Sequence, residues 1–160
     1  MRIKILCAAA LLLCLCACMR ESLTDPVLFC KAFNRLSQTV QLREENAFLR
    51  ADDEVLLYGA DVLIRLQTDE RGAVHTAVVT GPAGKAYAEA VRNAFTVLSR
   101  PLSEDVPQEI TAVLEKPPES VFSVQTDRFE YLVYSDGTAV TAVQINRQLF
   151  PITAQPRLRR

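Results

Sequence analysis

The chain has 160 residues, with 18 Lys and Arg against 19 Asp and Glu and one histidine, so it offers no basic field for nucleic acid. Hydrophobic residues make up 49% of it, enough apolar material for one packed domain. Four of the five cysteines fall within the first 18 residues, which leaves too few His and Cys elsewhere for a zinc shell.

Residues 1–18, MRIKILCAAALLLCLCAC, open with Arg2 and Lys4 and continue through 13 consecutive apolar residues, Ile5 to Ala17. A positive start, a short apolar run and a small residue at its end make a secretory signal. The run is shorter than the roughly 20 residues a membrane-spanning helix needs. Its last four residues, Leu15-Cys16-Ala17-Cys18, resemble the lipobox of bacterial prolipoproteins. The resemblance implies cleavage between Ala17 and Cys18, with Cys18 as the thioether-linked diacylglycerol site and new N-terminus. Cys14 and Cys16 do not compete for that role, because Leu13 and Leu15 stand where a small residue is required. Without the resemblance, the same run reads as an ordinary signal peptide or a retained N-terminal helix, with its cysteines as apolar filler.

Cleavage would leave 143 residues carrying 16 Lys and Arg against 19 Asp and Glu, a formal charge of −3. Acyl chains on Cys18, burying about 0.8 kcal/mol per methylene, would hold this domain on the extracytoplasmic face of a bacterial membrane. Cys30 would then be the single free thiol, with no intramolecular disulfide available.

Residues 18–24 read as a short polar tether, and residues 25–148 as one domain. Asp25 is an N-cap and Pro26 fits the first helical position. Phe29, Ala32, Phe33, Leu36 and Val40 then form one apolar stripe to about residue 40, with Cys30 on the same face. Ala47-Phe48-Leu49 suggests a short strand. Val55 to Tyr58 and Val62 to Leu66 read as strands, with Gly59 as a bend or bulge between them. Thr68 to Gly72 is a hairpin turn with Gly72 in the left-handed position, and Ala73 to Thr80 returns. Gly81-Pro82-Ala83-Gly84 breaks the strand.

Lys85 to Arg100 is the second helix, with Tyr87, Val91, Ala94, Phe95 and Leu98 on one face, and Pro101 stops it. Ser103 could cap a third helix over about Val106 to Leu114. Strands follow at about 121–126, 129–134 and 139–145. Asp136-Gly137 predicts a two-residue type I′ hairpin between the last two. Residues 149–160 read as a disordered tail, basic through Arg157, Arg159 and Arg160.

The order α-β-β(-β)-α-α-β-β-β predicts an α+β two-layer sandwich with helices on one face of an antiparallel sheet. Each half is a helix followed by a meander. That topology suggests duplication, although no residue-level identity is visible between the halves. A two-residue turn would set Val133 opposite Val140 and Tyr131 opposite Ala142. The helix-free side would then carry Leu132, Tyr134, Val143 and Ile145, a candidate partner face. Cover by the second helix group or the tail is the competing reading of that side.

Catalytic chemistry is thinly supplied. His75 sits mid-strand, Asp52-Asp53-Glu54 and Asp69-Glu70 lack calcium-loop spacing, and Gly81-Pro82-Ala83-Gly84 lacks a phosphate-loop pattern. No catalytic residue, metal site or cofactor is assigned. In outline the chain is similar to small uncharacterised bacterial lipoproteins, and loosely to envelope-assembly lipoproteins and tandem-repeat lactamase inhibitors, with no motif that carries binding residues over. The expectation is a non-catalytic, lipid-anchored module that binds an envelope protein or a second copy of itself, touches the bilayer through acylated Cys18 and does not bind nucleic acid. The alternative is an envelope hydrolase or small-ligand carrier using carboxylates.

Overall fold

Asp25 caps the first helix as its chemistry dictates, its Oδ1 accepting the Leu28 amide at 2.9 Å. In the computed structural model, which describes residues 24–49, 53–100 and 104–148, this helix (α1) covers Pro26–Leu36. The signal and lipobox residues, Ala17 and Cys18 among them, lie outside the described residues, as do Ser103 and the 149–160 tail. Helix α1 ends four residues earlier than the apolar stripe predicts. Val40 is buried, but from the loop beyond the helix. The loop is claimed by a distant acid: Glu89 accepts from the Ser37 hydroxyl at 2.8 Å, the Gln38 amide at 2.6 Å and the Thr39 hydroxyl at 2.8 Å.

Where a short strand is expected at 47–49, the chain forms a 3-10 helix over Glu44–Phe48. It packs between α1 and the first strand, burying Ala47 and leaving Phe48 exposed. The strands are β1 (Glu54–Tyr58), β2 (Leu63–Thr68), β3 (Val74–Thr80), β4 (Phe122–Gln125), β5 (Phe129–Ser135) and β6 (Val140–Arg147). Helix α2 spans Lys85–Leu98. Helix α3 spans Gln108–Glu115, starting after Pro107 and thus later than predicted. All six strands form one antiparallel sheet in the order β1-β2-β3-β6-β5-β4. The α+β sandwich and its element order are as the sequence predicts.

The helices cover one face of the sheet. Two rows of paired residues run across that face: Val55, Leu66, Ala77, Ile145, Tyr131 and Val124, then Leu57, Ile64, Val79, Val143, Val133 and Phe122. Phe95 of α2 seals it, with ring centroids 5.2 Å from Phe129 and 5.5 Å from Tyr131. Aromatic packing of this kind adds about 0.5–1.5 kcal/mol per pair beyond the area buried.

The two half-sheets repeat one another in register. Val55 pairs with Leu66 and Leu66 with Ala77; 66–67 residues later, Phe122 pairs with Val133 and Val133 with Val143. The turn bond from the Gly59 amide to the Val62 carbonyl, 2.8 Å, recurs from Thr126 to Phe129 at 2.8 Å. Even the bulge is repeated. His75 is the extra residue between the pairs Thr68–Val74 and Gln67–Thr76, and Thr141 is the extra residue between Ser135–Val140 and Tyr134–Ala142.

That second bulge corrects the predicted hairpin. The loop is four residues, Asp136 to Ala139, closed by the Asp136 amide on the Ala139 carbonyl at 3.2 Å, with Gly137 at φ +86°. Val133 therefore faces Val143, and Tyr131 faces Ile145, a register three residues from the expected one. An odd shift reverses which side each residue of a strand faces. Val143 and Ile145 therefore belong to the fully buried core and not to the candidate partner face.

Candidate binding face

Alternation leaves the opposite side of the sheet without helices, and its residues fall into three rows read from the strand register. The row at one end is polar throughout: Glu54, Gln67, Thr76, Asn146, Glu130 and Gln125. The middle row mixes Leu56, Arg65, Val78, Gln144, Leu132 and Ser123. The row at the other end is Tyr58, Leu63, Thr80, Ala142 and Tyr134. Polarity thus grades along the strands from one end of the face to the other.

The polar row is locked by its own hydrogen bonds. Gln67 Nε2 donates to Glu54 Oε1 at 3.1 Å, the Thr76 hydroxyl donates to Asn146 Oδ1 at 3.1 Å, and Asn146 Nδ2 donates to Glu130 Oε2 at 3.0 Å. Gln144 Nε2 adds a bond to Asn146 Oδ1 at 2.9 Å, and His75 Nδ1 lies 3.0 Å from the Thr76 hydroxyl. Side chains that satisfy one another this way offer few free donors or acceptors to a small ligand. His75 is a bulge residue tied into this row.

The apolar end is open. Leu56 and Tyr58 are 37% and 44% exposed. A shallow depression of about 350 Å³ lies there, lined by Tyr58, Leu63, Thr80 and the turn from Gly59 to Val62. Of the four residues predicted for a partner face, Leu132 and Tyr134 lie on it half-buried, and Val143 and Ile145 lie beneath it. Leu56, Tyr58, Leu63 and Val78 belong to the face and were not predicted. The hairpin flanks could have led to them: Thr68-Asp69 and Ala73-Val74 fall on Ser135-Asp136 and Ala139-Val140 at the offset of 66–67 residues, which aligns the half-sheets and exposes the bulge.

On the helical side, a cleft of about 540 Å³ is lined by Arg92, Thr96 and Arg100 of α2 and its C-terminal end, with Glu104, Asp105, Val106 and Thr111. Two adjacent carboxylates thus line one cavity, and one of them, Glu104, is ion-paired with Arg128 at 3.7 Å. Beneath it, burial and then the Glu104 charge push the Tyr131 phenol above its usual 10. Cys30 is buried, and burial, reinforced by the charges of Glu44 and Glu45, pushes its thiol up to about 11. Among the described residues, no three His, Cys, Asp or Glu side chains form a group that could hold a metal ion. Also among them, no helix is long and apolar enough to cross a membrane.

No protein-family model, characterised relative or solved structure matches the chain, so its site is read from geometry alone.

Proposed function

We propose that this chain is a lipid-anchored extracytoplasmic module that works by holding another protein against the open face of its sheet. The observation that carries the reading is the graded face. One end is a self-satisfied polar row, and the other is an apolar strip running from Tyr58 to Tyr134 with nothing packed on it among the described residues. A protein surface with an apolar stripe and a polar margin fits that gradient. Anchorage rests on the Leu15-Cys16-Ala17-Cys18 resemblance, and confinement to a bilayer would raise the effective concentration for a weak contact.

Photo-crosslinking in intact cells tests the binding. A photoreactive phenylalanine analogue at Tyr134 or Tyr58 should give one discrete adduct, and the same group at Arg92, on the helical side, should give none. Adducts of equal yield from all three positions would overturn the reading. The adduct's mass then tells an envelope protein from a second copy. Intact mass of the mature chain tests anchorage separately: an unmodified Cys18 removes the lipid anchor from the proposal.

A further inference from the structure

The chain enters and leaves the domain at one end of the sheet. The Thr24 carbonyl accepts the Val74 amide at 2.9 Å, and Val74 pairs with Thr68. The Thr68 amide in turn reaches the Asp53 carbonyl at 2.9 Å. At the same end the Gln148 amide bonds the Arg128 carbonyl at 2.7 Å, two residues past the Thr76–Asn146 pair. The tether of seven residues, 18–24, spans at most about 25 Å. Whatever holds Cys18 therefore faces this end of the domain.

The same end carries exposed apolar side chains. Helix α1 leaves it with Leu28 53% exposed. Cys30 lies against the Leu42 carbonyl and feels the charges of Glu44 and Glu45, so the 3-10 helix runs back along α1 toward its N-terminus. That course brings Phe48 and Leu49, 70% and 67% exposed, toward the end of the sheet where Glu54 opens β1. Leu49 is four residues before Asp53 and so within about 14 Å of it. Phe48 and Leu49 are the two most exposed large apolar residues among the described residues, and they are adjacent in the chain.

We infer that Phe48 and Leu49 form a tip that dips into the leaflet to which the chain is tethered. The inference rests on the proposed anchor and deepens it, because attachment at one point leaves orientation free and a second, apolar contact fixes it. Side chains of this kind enter about 5–10 Å, the headgroup and upper acyl region. With this tip down, the strands stand upright and the open face looks sideways along the membrane, toward other anchored proteins.

The chain contains no tryptophan, so a single one reports its own surroundings. Full chains carrying Phe48→Trp or Val121→Trp are purified from membranes and placed in phosphatidylethanolamine–phosphatidylglycerol vesicles with brominated acyl chains. Val121 is 58% exposed and precedes Phe122 at the far end of the sheet. Emission from position 48 should be blue-shifted and lose most of its intensity to bromine, and emission from position 121 should lose almost none. Equal quenching at the two positions, or none at 48, overturns the tip. The acyl mass of the same samples is read independently. An unmodified Cys18 with quenching at 48 refutes the anchor and keeps the tip, and an acylated Cys18 without quenching does the reverse.

Discussion

Asp69 and Asp136 hold equivalent corners of the two half-sheets. Asp69 Oδ1 accepts the amides of Arg71 and Ala73, both at 2.9 Å, and Asp136 Oδ1 accepts those of Thr138 and Ala139, both at 2.8 Å. Each carboxylate therefore does the work of a turn backbone. The Thr138 hydroxyl, then the Ala139 and Thr138 amides, hold Asp136 down to about 2, and the Ala73 and Arg71 amides lower Asp69 against a smaller burial penalty. In an NMR titration the Thr138 and Ala139 amide shifts should move with a midpoint near 2, and those of Ala73 should move below the ordinary 3.8. Midpoints at 3.8 would mean the hairpins close without these acids.

The corrected register separates two substitutions that would look alike if Tyr134 and Val143 shared a face. Val143→Glu puts an unpaired charge in the sealed core and should unfold the domain, a cost above about 4 kcal/mol. Tyr134→Glu lies on the open face and should change stability by less than about 1 kcal/mol. Thermal melts followed by circular dichroism distinguish them. A Val143→Glu variant that melts like the unaltered chain would refute the register.

Glu89 ties the end of α1 to α2 and should make the fold acid-sensitive. Burial opposes its charge, but the bonds from Gln38, Thr39 and Ser37 outweigh that and hold the carboxyl at about 2, against 4.5 when free. A carboxyl lowered on folding stabilises the fold fully above its unfolded value, and the contribution is lost as pH falls through the folded one. Its share of stability should therefore be complete above pH 4.5 and gone by about pH 2. Glu89→Gln should cost about 1 kcal/mol at neutral pH, given partial exposure. Its stability should also fall less steeply than that of the unaltered chain between pH 4.5 and 2. Parallel curves would mean other acids set the slope.

Phe95 seals the helices onto the second half-sheet. Phe95→Ala removes a side chain only 1% exposed that touches both Phe129 and Tyr131, and it should cost about 3–5 kcal/mol in urea unfolding. A loss below about 1 kcal/mol would show that α2 docks mainly through other contacts.

Cys30 is sealed rather than poised. With its side chain buried and its thiol at about 11, it should resist iodoacetamide at pH 8 in the folded chain and react within the unfolding transition. Rapid labelling of the native fold would put Cys30 on an accessible surface.

Local chemistry alone specified the start of α1, the six strand segments of the sheet and the layer assignment. Asp25-Pro26, the 3.6-residue stripe of α1 and the Gly72 turn at φ +76° are decided within a few residues, and period-2 runs in β1 and β2 already sort inside from outside. The face that matters was not legible in this way. A single extra residue at Thr141 reverses which side the rest of β6 faces, and a bulge is visible only once both strands of the hairpin are paired. The 3-10 helix at Glu44–Phe48 likewise forms where α1 and β1 close around Ala47, a packing fact with no local signal. Propensity acts over neighbours in the chain, whereas register and the exposure of Phe48 are settled by partners that only folding brings alongside.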